Sequence, residues 1–234
     1  MVNYNYHIQD FFKLNNQFLL IQLKQEISPS NLQAILHIKS KIEKLFPAAY
    51  VYFTYAEIGV RFPYFEDINE KLEQLKEVFL STEEEALNLS LTSKTIEVPV
   101  CYSPEIAPDL GYFLKHKKLS LEELIELHTS PQYLVYFIGF LPGFLYLGGL
   151  NKKLFFPRKN TPSPTIEAGS VGIGYEQTGI YPQDSPGGWH IIGKTPQQLF
   201  DASATKPVDF QAGNKLKFKS ISLDEYKSLT TKNS

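Results

Sequence analysis

A chain of 234 residues, 43% of them hydrophobic and 21% charged, is neither disordered nor dependent on a metal or disulfide to fold. At this length folding buries roughly 70% of the unfolded surface. The net charge of -2 and the lack of a long basic run exclude an electrostatic nucleic-acid footprint, and a single cysteine, Cys101, excludes an internal disulfide.

The opening MVNYNYHIQDFF has no basic n-region and no continuous apolar h-region, so no signal peptide is expected there and the expected location is cytoplasmic. Asn16–Leu23 (NQFLLIQL) is a short apolar run of strand type. Ser28 or Ser30 can cap the helix that follows, where Leu32, Ile35, Leu36, Ile42, Leu45 and Phe46 recur at helical spacing until Pro47. AAYVYFTY and EIGVRF predict two strands. Ile68, Leu72, Leu75, Val78 and Phe79 form the apolar stripe of a second helix. Thr95–Cys101 (TIEVPVC) would close the set, and the order βαββαβ is that of a ferredoxin-like α+β domain, with a boundary near residue 92.

Beyond Cys101 the texture changes. A helix is expected around Asp109–His116, and another behind the capping box Ser120-x-x-Glu123, with Leu121, Leu124, Ile125 and Leu127 inward. Thr129–Asn151 carries no charge, yet Pro142 and Gly139, Gly143, Gly148 and Gly149 break it, so it reads as a strand and a tight turn and not as a membrane helix. From Gln132 onward short apolar runs alternate with most of the 14 glycines and 15 prolines, the composition of a mainly-β barrel or sandwich over 93–234.

Gly188-Trp-His-Ile-Ile-Gly193-Lys194-Thr195 satisfies G-x-x-x-x-G-K-[ST] letter for letter. A phosphate loop sits between a buried strand and a helix and lets successive N–H groups converge on phosphate oxygens. Here the residues before Gly188 are turn material, the x residues are bulky and β-prone, and Pro196 follows, so a strand is expected instead. Gly169-Ser170-Val171-Gly172 resembles a nucleophile elbow but precedes no helical stripe, and it reads as a turn between strands. Histidines 7, 37, 116, 128 and 190 show no paired spacing, so no metal site is expected. His128 closes a helix, where its imidazole can bond the last carbonyls, and Cys101 reads as a small buried residue.

Pro157-Arg158, Gln177, Tyr181, Asp184, Ser185, the Pro186-Gly187-Gly188 turn and Lys194 all fall on expected loops or strand ends. Arg offers a planar fork to carboxylate or phosphate, and consecutive glycines expose N–H groups to a ligand. Such residue types suit an anion-handling cleft, although they are equally the residues of ordinary β-turns.

The blocks YFIGFLPGFLYLGGL (136–150), FPRKNTP (156–162), AGSVGIG (168–174), QTGIYP (177–182) and SPGGWHIIGKTP (185–196) closely resemble the KipI family, whose members are also called allophanate hydrolase subunit 1 or the 5-oxoprolinase B subunit. The resemblance is strongest from about Glu97 to Lys219. It implies a ferredoxin-like domain followed by a cyclophilin-like barrel. It also implies two partners, a LamB/YcsF-type A subunit plus a KipA-like C subunit. Together the three use ATP, with Mg2+, to phosphorylate the lactam of 5-oxoproline and open it to glutamate. The catalytic residues it suggests are Arg158, Gln177 and Lys194. Gly139, Phe140, Pro142, Gly143, Tyr181, Ser185, Gly187, Gly188, Trp189 and His190 would bind substrate or nucleotide. Relatives carry Arg where this chain has Lys194, so the Walker-like pattern is a barrel-strand motif. They also carry Arg at the place of Ser163 and V-P-A-G in place of Ile166-Glu167-Ala168-Gly169. Other members are described as inhibitors of a sporulation histidine kinase, which leaves a non-catalytic binding protein as the competing reading. Peptidyl-prolyl isomerase activity rests on fold analogy alone.

Overall fold

The computed structural model describes residues 7–63, 67–80 and 95–233. The chain divides into two units, Met1–Leu91 and Thr92–Ser234. The boundary expected near residue 92 falls within residues 81–94, outside the described ones.

The first unit runs β1 (Ile8–Asn15), β2 (Phe18–Leu23), α1 (Pro29–Leu45), β3 (Tyr50–Phe53), β4 (Glu57–Arg61) and α2 (Ile68–Leu80). Leu19, Ile21 and Leu23 alternate along β2 with half-buried neighbours, and they meet Ile35, Ile38 and Ile42 of α1 and Leu75 and Phe79 of α2 on one face of the sheet. Ser28 is the residue that caps α1, its Oγ accepting from the Asn31 amide at 3.3 Å, with Pro29 entering the first turn.

The sheet order is β1-β2-β4-β3, all antiparallel. This corrects the expected βαββαβ set. β1 folds back on β2 through Asn16 and Gln17, with the Asn15 side chain accepting from the Gln17 amide at 2.8 Å, and so fills the edge assigned to the last strand. Thr95–Cys101 belongs to the second unit instead.

That unit comprises β5 (Thr95–Cys101), α3 (Leu110–Lys117), α4 (Leu121–Thr129), β6 (Tyr133–Ile138), β7 (Leu145–Gly148), β8 (Ser163–Ile166), β9 (Ser170–Gly174), β10 (Gln177–Ile180), β11 (Ser185–Gly187), β12 (His190–Lys194), β13 (Lys215–Ile221) and α5 (Leu223–Asn233). Seven strands close a barrel in the order β10-β7-β6-β13-β5-β12-β9, while β11 and β8 form a separate pair. β5 runs parallel to β13 along its whole length, from Lys215 opposite Thr95 to Ile221 opposite Cys101. Parallel neighbours need a long connection between them, and here nearly the whole unit supplies it.

The uncharged stretch from Thr129 to Asn151 is β6, a tight turn and β7. Among the described residues no helix is long and apolar enough to cross a membrane. The Walker-like stretch is strand β12, paired with β5 and β9, with Ile191 and Ile192 in the core and no helix behind Pro196; no phosphate loop forms. Ser170 likewise opens strand β9, not a nucleophile elbow. The capping box forms as expected: Ser120 Oγ accepts from the Glu123 amide at 3.1 Å, and the Glu123 carboxylate accepts from the Ser120 amide at 2.7 Å.

Candidate functional site

The glycine-rich blocks build a seat for one indole. Trp189 lies against three glycines of the neighbouring strands β9 and β10. A Cβ on Gly174 would sit 2.6 Å from Trp189 Nε1, one on Gly179 3.0 Å from its ring edge, and one on Gly172 3.2 Å from its Cβ. Only glycine leaves this space. Phe144 meets Trp189 and Tyr181 edge-on, with ring centroids 5.5 Å and 5.0 Å away, and Tyr146 meets Trp189 at 5.9 Å.

These rings line a cavity of about 300 Å³ together with Phe140, Arg158, Lys159, Pro162, Pro186, Gly187 and Gly188. Gly187 is required here, because a Cβ would approach the Tyr181 hydroxyl to 2.5 Å. Burial pushes Tyr181 up to about 12, partly offset by a hydrogen bond from the Trp189 backbone, so the phenol stays protonated at neutral pH.

Arg158 provides the charge. Its guanidinium carbon lies 5.7 Å from the Tyr175 ring centroid and 5.9 Å from that of Trp189, and among the described residues no carboxylate pairs with it. The next residue differs. Lys159 Nζ is 2.6 Å from Asp109 Oδ2 and 2.8 Å from Ser163 Oγ, and its amide donates to the Gly188 carbonyl at 2.7 Å. Two adjacent cations are thus treated unequally, one paired with a carboxylate and the other without such a partner among the described residues.

The expected residues therefore gather only in part. Phe140, Arg158, Tyr181, Gly187, Gly188 and Trp189 share the cavity. Lys194 does not: it pairs with the Glu167 carboxylate and lines a separate cavity of about 380 Å³ with Gly169, Pro182, Phe200 and Tyr226. A single cleft holding both Arg158 and Lys194 is thereby corrected. Five residues along an extended strand span about 16 Å, which carries Lys194 away from Trp189.

Gln177 opens β10 opposite Gly174 and does not line the cavity. Gly139, Pro142 and Gly143 form the turn that presents Phe140, whose φ of +67° and 60% exposure put its ring at the rim. The Ser185 hydroxyl, on β11, is buried without a hydrogen-bond partner among the described residues. His190 is buried beside Phe156 and stacked on Tyr112; burial holds its pKa below the ordinary imidazole value, with Asp109 pulling the other way. Burial, then Glu105, raises the pKa of the Cys101 thiol.

Sequence reasoning missed Asp109, which looked like a helix start. It stands at that position but caps nothing with its side chain; its carboxylate accepts from the Ile191 amide at 2.8 Å and holds Lys159. His128 is also corrected. Its ring bonds no helix carbonyl: Nδ1 accepts from Tyr102, and Nε2 donates to Thr178, whose hydroxyl donates onward to the Gly172 carbonyl at 2.9 Å. Among the described residues no group of three or more His, Cys, Asp or Glu converges as metal ligands would.

The model for the carboxyltransferase domain, subdomain C and D, matches residues 10–210. The chain is 43% identical over 160 residues to the 5-oxoprolinase B subunit of Bacillus subtilis (strain 168), a match covering 68% of this chain and 62% of that relative. It is 50% identical over 123 residues to the 5-oxoprolinase B subunit of Haemophilus influenzae, covering 53% of this chain and 58% of that relative. The matches thus span less than two thirds of those proteins' lengths. The crystal structure of a conserved uncharacterised protein from Pyrococcus horikoshii superposes with a TM-score of 0.56 at 32% identity, covering 93% of this chain and 100% of that one. The chain belongs to the carboxyltransferase subdomain C and D family, the family of the KipI-like and 5-oxoprolinase B-type proteins that its glycine-rich blocks resemble.

Proposed function

We propose that this chain is the B subunit of a cytoplasmic, ATP-dependent 5-oxoprolinase, working with a LamB/YcsF-type A subunit plus a KipA-like C subunit. The single observation that carries the reading is Arg158. It is a guanidinium without a carboxylate partner among the described residues, laid against Trp189 at the wall of an aromatic cavity. A flat ring with one carboxylate is the ligand such a cavity favours, since the rings take its faces and the fork takes its charge. At about 300 Å³ the cavity suits a five-membered lactam and leaves the bulk of a nucleotide outside.

In this reading the lactam carbonyl oxygen attacks the γ-phosphorus of ATP, forming a C–O–P bond and releasing ADP. Water then adds to the activated carbon, the C–N bond opens to an acyl phosphate, and a second water releases phosphate and glutamate. Arg158 and the backbone of Gly187 and Gly188 hold negative charge in place, and the neutral Tyr181 phenol orients the ring. Mg2+ would arrive with the nucleotide. The test is ADP release by the chain combined with its partner subunits, with and without 5-oxoproline. Equal release in both conditions would end the reading.

A second reading, protein contact without turnover, draws on Phe140 and Tyr175. Both are aromatic, both have positive φ (+67° and +55°), and they are 60% and 58% exposed. Binding of an isolated histidine-kinase dimerisation domain, lost on replacing both rings by Ala, would favour it.

A further inference from the structure

Arg158 and Lys159 are neighbours in sequence and line the same cavity, yet only Lys159 is paired. The carboxylate that makes this distinction comes from elsewhere in the unit. Asp109 stands at the start of α3, with only 17% of its side chain exposed, and the Lys159 side chain is 14% exposed. Its Oδ2 receives both the Lys159 ammonium, at 2.6 Å, and the Ile191 amide, at 2.8 Å. Lys159 in turn bonds Ser163 Oγ and, through its own amide, the Gly188 carbonyl. One carboxylate therefore ties the helix start, strand β12 and the 158–159 segment into a frame around Trp189.

We propose that Asp109 is the positioning residue of this cleft. It neutralises Lys159 where that side chain borders the cavity and fixes Arg158 against Trp189, so that one uncompensated cation and not two meets the substrate's anion. Lys159 also lines a neighbouring cavity of about 270 Å³ with Glu105, Ser163, Thr165 and Glu167. Lys159 borders both spaces, and its ammonium is held by Asp109 and Ser163. Without Asp109, two adjacent positive charges face the aromatic cleft, anions are held more tightly and less selectively, and the orientation of Arg158 is lost. This deepens the lactam reading and rests on it for the identity of the ligand, but the positioning itself is readable without any ligand.

Trp189 is the chain's only tryptophan, so its fluorescence reports the indole under Arg158. The experiment compares unliganded wild type, R158M, D109N and D109E, each with its thermal midpoint and circular dichroism. R158M defines the emission of an indole without its guanidinium. D109N should shift to that emission while keeping the wild-type fold, and D109E should return most of the way. D109N should also bind inorganic phosphate several-fold more tightly than wild type. Where D109N fails to fold, D109N/K159M removes both buried charges and should show the R158M emission. An unshifted D109N, or an unshifted double variant, overturns the proposal, and so does an R158M spectrum equal to wild type. Failure of 5-oxoproline and phosphate to perturb wild-type Trp189 would sink the lactam reading, a result separate from the unliganded comparison.

Discussion

The Tyr102 hydroxyl lies 2.7 Å from His128 Nδ1, both residues buried in the second unit, and His128 Nε2 lies 3.0 Å from Thr178 Oγ1. Thr178 spends its own proton on the Gly172 carbonyl, which leaves Nε2 as the donor and Nδ1 as the acceptor. The ring is neutral, and burial lowers its pKa to about 3.

Acid should therefore weaken the barrel in a definite window. The unfolded imidazole takes a proton near 6.5, whereas the folded one resists it until about 3. The stabilisation is complete above 6.5 and is lost as pH falls toward 3, at about 1.4 kcal/mol per pH unit. Urea unfolding should give a stability about 2 kcal/mol lower at pH 5 than at pH 7 from this group alone. A flat profile would show that the ring is not held neutral.

Replacing Gly174 by Ala should disturb the cleft through packing alone. The new methyl would lie 2.6 Å from Trp189 Nε1, with no flexible chain end to give way. Overpacking of this kind costs about 1–3 kcal/mol. Thermal denaturation should show that loss together with altered Trp189 emission, and a Gly174→Ala protein with wild-type emission would mean the seat is looser than described.

Arg158 and Lys194 should separate in function. R158M removes a cation that, among the described residues, lies against the Tyr175 and Trp189 rings, each contact being worth about 0.5–1 kcal/mol, so the fold survives. Lactam-dependent ADP release in the assembled complex should fall about 10²–10³-fold. K194A breaks a pair with an exposed glutamate, worth about 0–1 kcal/mol, and should leave ADP release far closer to wild type. Equal losses in the two variants would join the two cavities into one working site.

The capping box offers a test away from the cleft. Ser120→Ala leaves the first turn of α4 without its reciprocal bonds and should lower stability by about 1 kcal/mol in chemical denaturation, with ADP release unchanged.

How much of this could be read from the residues depended on how local the signal was. The Ser120–Glu123 box spans four residues and was legible, as was β12, whose paired isoleucines favour a strand over a phosphate loop. β1 escaped notice because its buried residues, Ile8 and Phe11, break alternation at register shifts, and because Asn16 and Gln17 make a turn without glycine. β5 was legible as a strand, but nothing in TIEVPVC names its sheet, since its partners lie far downstream. The cleft was half legible: glycines and Trp189 announce a crowded spot, whereas Asp109 meets Lys159 only through the fold.

The parallel seam between β5 and β13 has a consequence for how the barrel forms. Thr95 waits for Lys215, so the first strand of the unit gains this neighbour only when its last strand is available. Contacts so distant in sequence slow folding, because loop closure must precede them. On the ribosome, β5 and β6 remain open edges until Lys215–Ile221 emerges, exposed to pairing with other chains in that interval. Yield of this protein in cells should thus depend on β13, and a chain stopped before Lys215 should aggregate and not fold to a smaller barrel.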